Sequence, residues 1–78
     1  MQGQSKYPQD HELLRALARI GLGPFEFRRG ALRALIHAST GAPPGDGLST
    51  DELARQVLEL HRARRLRRPR ATRLQGGD

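Results

Sequence analysis

The sequence predicts an all-α protein: a small three-helix domain with an arginine-rich C-terminal arm. Three observations carry that expectation. Leucine, isoleucine and valine recur at helical spacing in three separate blocks. Glycines, prolines and a capping box punctuate the chain between those blocks. The charge is divided unevenly, because residues 1–61 hold seven basic and seven acidic residues while 62–78 hold seven arginines and one aspartate. The divisions that follow are a leader over 1–9, a three-helix body over 10–61, and a basic arm and tail over 62–78.

Residues 1–9 are polar apart from Met1, Tyr7 and Pro8 and read as a loose leader. The first helix is expected over 10–20. Asp10 can cap its free amides, and Glu12 suits the positive end of the helix dipole. Leu13, Leu14, Leu17 and Ile20 fall on one side. Gly21 fits the residue after the helix, with Leu22 packing backwards to close the cap. Gly23-Pro24 then opens a second helix to about Ala38, since proline suits the first helical position. Phe25, Leu32, Leu35 and Ile36 share one face, and Arg28, Arg29 and Arg33 are expected to project to solvent. Gly30 implies either close approach of another helix or a helix that begins after it.

Three glycines and two prolines over 39–47 predict a loop. The clearest local signal follows in Leu48-Ser49-Thr50-Asp51-Glu52-Leu53. Ser49 and Glu52 form a capping box, and Leu48 and Leu53 a hydrophobic staple, so a third helix starts here. Leu53, Val57 and Leu60, with Ala54 and Leu58 alongside, give it an apolar face. Beyond His61 the pattern fails. Continued as helix, Arg62, Arg64, Arg65, Arg67 and Arg68 would point all round the axis and leave no side to bury. Pro69 is expected to end that helix, and 70–78 to form a flexible tail that includes Arg70 and Arg73.

The bulk composition bounds what such a chain does. Its 78 residues allow one domain with a thin core, for only 36% are apolar and the aromatics are Tyr7, Phe25 and Phe27. A core of that size leaves about 3–5 kcal/mol of net stability, to which a homodimer or a bound partner would add. There is no cysteine, which excludes disulfides and thiolate metal sites and suits a reducing cytoplasm. No apolar run approaches the roughly 20 residues of a membrane span, and the polar start lacks a signal core. A cytoplasmic protein without a membrane partner is expected.

The arm carries the chemistry. Guanidinium groups stay charged and match phosphate oxygens with a planar fork of donors. Seven arginines over 62–73 would displace counterions from nucleic acid and give salt-sensitive affinity, with little base specificity of their own. A solubilising tail, or one paired with the body's own acids, is the plainer alternative. On the third helix Thr50, Arg55 and Gln56 are candidate base readers, because Arg and Gln pair bidentately with base edges. Arg28, Arg29 and Arg33 would extend a phosphate-contacting surface.

The order helix, helix, loop, capped helix, basic segment resembles helix-turn-helix and winged-helix DNA-binding domains. Ser49 to Ala54 is similar to a helix opening common in them. From Leu17 to Leu53 the chain resembles the DNA-binding half of the ferric uptake regulator family, through Gly21-Leu22, Arg28-Arg29, Leu32, Leu35, Leu48-Ser49 and Glu52-Leu53. The family's loop between these helices is shorter than 39–47, and its recognition helix would fall at or beyond Arg70-Ala71-Thr72. The resemblance therefore implies a DNA-binding shape and no metal sensing.

Other chemistry finds little support. His11, His37 and His61 lie on three elements without ligand spacing, so no metal or other cofactor is expected. No nucleophile–base pair, phosphate loop or dinucleotide fingerprint is present, and the chain is not expected to be an enzyme. The leading expectation is a small nucleic-acid-binding protein, a DNA-binding transcriptional regulator by the resemblance, with DNA ahead of RNA. The alternatives are an adaptor or inhibitor of phage or plasmid type, docking on an acidic protein surface, and an RNA- or ribosome-associated protein.

Overall fold

A computed structural model of the chain describes residues 6–68. Its elements are α1 (His11–Arg19), a 3-10 turn (Pro24–Phe27), α2 (Arg29–Thr40) and α3 (Thr50–Arg62). The described residues form no strand. The fold is thus the small all-α three-helix domain that the sequence predicts.

Each helix end has a local cause. Asp10 accepts from the Glu12 amide at 2.9 Å and caps α1. At the other end Gly21 takes φ +95°, a left-handed conformation that glycine tolerates. The Leu22 amide then reaches the Leu17 carbonyl at 3.1 Å and the Gly21 amide reaches Ala18 at 3.0 Å. That reversal returns Leu22 to the core, where it is buried. The capping box forms at α3: the Glu52 amide donates to Ser49 Oγ (3.1 Å) and the Ser49 amide donates to Glu52 Oε1 (2.8 Å). Leu48 lies partly buried against the core that contains Leu53.

One core joins the helices. It comprises Leu13 and Leu17 of α1, Leu22, Leu32, Leu35 and Ile36 around α2, and Leu53, Ala54 and Val57 of α3. Ile20, Phe27, Leu58, Leu60 and Leu66 pack round its edge. Both α1 and α2 pack against α3, which is the common neighbour of the bundle.

Four expectations are corrected. First, no single helix runs from Pro24. The chain makes one 3-10 turn, extends at Arg28 (φ −70°, ψ 150°) and restarts at Arg29. The break moves Phe25 off the core face, to 80% exposure, and brings in Phe27 instead. Second, Gly30 lies in the first turn of α2, and nothing stands within 4 Å of where its Cβ would be, so it makes no close helix approach. Third, the described part of the leader is docked. Pro8 is buried, the Lys6 carbonyl accepts from the Arg29 amide at 2.6 Å, and the amides of Gln9 and Asp10 donate to the Asp51 carboxylate.

Fourth, α3 ends at Arg62 rather than near Pro69. Ala63 caps it and Arg64 turns left-handed at φ +59°. The Arg64 and Arg65 amides then close back onto the His61 and Leu60 carbonyls at 3.0 and 2.8 Å. This is the same device that ends α1, built on arginine instead of glycine. The arm leaves in no regular secondary structure, and Leu66 packs on the core edge. An arm expected to have no side to bury therefore partly buries one residue, Leu66.

Candidate nucleic-acid interface

The reversal at Arg64 decides where the arginines stand. Residues 65–68, in no regular secondary structure, pass α2 near its C-terminal end. There Ser39 Oγ accepts from the Arg67 amide (2.7 Å) and donates to the Leu35 carbonyl (2.7 Å). Farther on, Arg68 Nη2 donates to the Gly21 carbonyl at 2.8 Å, and its Nε lies 3.8 Å from Glu26. The arm is thus pinned at Leu66, Arg67 and Arg68, by one apolar contact, one backbone bond and one guanidinium.

Arg64 and Arg65, just before the first pin, and Arg67, pinned only through its backbone, are exposed. With Ala38 and Ser39 they line a shallow polar hollow. None of the three pairs with a carboxylate among the described residues. Arg62 lies 3.9 Å from Glu59, one helical turn back, with both side chains well exposed; such a pair contributes little. Arg70 and Arg73 lie outside the described residues. The C-terminal ends of α2 and α3 lie beside the cluster, and their dipoles favour cations there. This steadies the three arginines without neutralising them.

The arginines of α2 have other work. Arg29 donates to the Leu48 carbonyl at 2.6 Å and the Asp46 carbonyl at 3.3 Å. Arg33 donates to the carbonyls of Gly45 (3.0 Å) and Pro44 (3.1 Å) and to Asp46 Oδ1 (3.2 Å). They hold the loop between α2 and α3, and of the expected phosphate-contacting trio only Arg28 stays exposed and unengaged among the described residues. On α3, Thr50 is 2% exposed, which removes it from the candidate base readers. Arg55 and Gln56 are exposed. Glu52 and Asp51 occupy the first turn of that helix, the part a recognition helix presents to bases.

Arg55 belongs to a second surface that sequence reasoning missed. Ala16, Ile20 and Leu58 floor an apolar groove between α1 and α3, edged by Arg19, Arg55 and Arg62. Its one acid is Glu59, the neighbour of Arg62. A signal was present at Leu58, which has Arg55 three positions before it and Arg62 four after it. His61 also lines this groove, while His11 and His37 are exposed elsewhere. Among the described residues no group of three or more His, Asp or Glu is placed to hold a metal ion. No helix among them is long and apolar enough to cross a membrane.

Comparison of the chain with protein-family models, with curated proteins and with solved structures found no match in any of the three.

Proposed function

We propose that this protein binds nucleic acid by gripping phosphates through the arm, with Arg64, Arg65 and Arg67 as its described contacts. One observation carries the reading: these three guanidinium groups are gathered on one exposed hollow, unpaired with carboxylates among the described residues. Desolvating a cation is favourable only when an anion replaces the water, and phosphate oxygens match the guanidinium fork. Arg62, Arg70, Arg73 and the exposed Arg28 extend the same charge, and the arm holds the whole net +6. Docking on DNA as a transcriptional regulator would add Arg55 and Gln56 of α3 as base readers. The phosphate grip does not depend on that geometry. A cytoplasmic site of action goes with the reading.

The test is affinity for labelled duplex DNA and hairpin RNA at rising salt. The plot of log affinity against log salt is expected to be steep. In Arg64→Gly/Arg65→Gln/Arg67→Gln the slope on duplex DNA should lose about 2 to 3 units, near 0.9 per phosphate contact removed. Absence of binding at low salt would overturn the reading.

A second reading rests on the groove between α1 and α3. An apolar floor edged by three arginines suits an acidic amphipathic helix of a partner protein, whose leucines would fill the floor and whose carboxylates would meet Arg19, Arg55 and Arg62. A second copy of the chain would bring arginines against arginines. This adaptor reading predicts that a leucine-striped, glutamate-flanked peptide binds more tightly than its scrambled counterpart, and that Arg19→Glu/Arg55→Glu removes the difference. Equal binding of both peptides would dismiss it.

A further inference from the structure

The chain has three aromatic residues; Tyr7 is 48% exposed, and Phe25 stands furthest into water. Phe27 packs against the core edge, whereas Phe25, two positions earlier on the same turn, is 80% exposed. A lone exposed apolar residue is ordinary by itself. The position of Phe25 is what gives it meaning.

The arm returns to this turn. Arg68 is held by the Gly21 carbonyl and lies beside Glu26, the residue next to Phe25. Glu26 is itself fixed, for its Oε1 accepts from the Gly23 amide at 2.9 Å. Arg28, just past the end of the turn, is exposed as well. Phe25 therefore stands exposed on the turn to which the arm is anchored, with the exposed Arg28 just after it. Cationic contacts that track a backbone, with an aromatic face between them, are the elements of a single-strand binding surface.

We propose that Phe25 is a stacking platform for an unpaired base, which makes single-stranded nucleic acid the preferred ligand of the arm. The proposal rests on the phosphate-gripping reading and deepens it. A strand whose phosphates lie on Arg64, Arg65 and Arg67 continues along the arm toward Arg68, where an unstacked base meets the ring. In a duplex the base faces are already occupied by their neighbours, so the ring adds nothing there. Stacking tolerates any base, and no sequence preference is expected from it.

The experiment uses the full chain with oligothymidine, oligouridine and a DNA duplex of equal phosphate number, followed by fluorescence anisotropy at fixed salt. The wild type is expected to favour the single strands. Phe25→Ala should weaken single-strand binding by roughly tenfold, leave the salt slope unchanged and leave duplex affinity as it was. Phe25→Leu should behave as Phe25→Ala, and Phe25→Tyr should restore the affinity, since a tyrosine keeps the aromatic face. The exposure of Phe25 means that all three variants should melt near the wild type. Equal loss on duplex and single strand, or no loss on either, overturns the stacking role while the arm reading stands. No binding to any of the three nucleic acids overturns both. The two single strands separate DNA from RNA as the source of the base.

Discussion

Arg29 and Arg33 carry the same side chain as Arg64, Arg65 and Arg67 and have the opposite fate. The first pair is spaced four apart on α2 and turns inward to a loop rich in glycine and proline. That loop cannot satisfy its own carbonyls with a regular ladder, so the two guanidinium forks satisfy them from outside. The second set follows a helix stop, outside regular secondary structure, and pairs with no acid among the described residues. Charge alone does not mark a binding residue. What separates the sets is whether the fold already uses the donors.

The largest effect expected from breaking that contrast is on stability. Arg29→Ala/Arg33→Ala removes the guanidinium bonds that hold the loop and should cost about 1–3 kcal/mol, measured by urea denaturation. In a domain with about 3–5 kcal/mol to lose, that is a large share. The Arg29→Lys/Arg33→Lys variant should recover only part, because an ammonium lacks the fork. Stability equal to wild type in the alanine double variant would mean that the loop holds itself.

A smaller loss is expected at the pin of the arm. Ser39→Ala removes the acceptor of the Arg67 amide and should cost about 1 kcal/mol. Hydrogen exchange at that amide should become fast while the core amides of α2 stay slow. Continued protection of the Arg67 amide would show that Leu66 and Arg68 suffice.

Opposite in sign is Arg64→Gly. A left-handed arginine is strained by about 1 kcal/mol, and glycine relieves it at some entropic cost, so a gain of up to about 1 kcal/mol is expected by thermal melting. A loss would mean that the Arg64 side chain contributes more than its backbone costs. The smallest change is expected at Gly30→Ala, where open space and an ordinary helical φ allow a gain of about 0.5 kcal/mol with the grip of Arg29 and Arg33 intact.

These contrasts also mark what the chain disclosed in advance. The cap at Asp10, the reversal at Gly21-Leu22 and the box at Ser49–Glu52 are local, each settled by residues within five positions, and all three were legible. So were the helical faces of Leu13 and Leu17, Leu32 to Ile36, and Leu53 to Val57. The break at Arg28 was not, because the Arg29 amide is claimed by the Lys6 carbonyl, more than twenty residues away. Periodicity assumed one helix from Pro24 and so put Phe25 in the core. The stop of α3 was missed for the same reason. No glycine announces it, and the arm is held by Ser39, Gly21 and the core edge under Leu66. Thr50 reads as a solvent-facing first-turn residue and points inward.

The central claim is that the two sets of arginines differ in availability to phosphate. The most direct measurement follows the arginine Nε–Hε signals by two-dimensional NMR while oligothymidine is added at low salt. Arg64, Arg65 and Arg67 are expected to shift with a common affinity, and Arg29 and Arg33 to stay in place. Movement of Arg29 and Arg33 with the arm signals unmoved, or no movement of any arginine at saturating strand, would contradict the account.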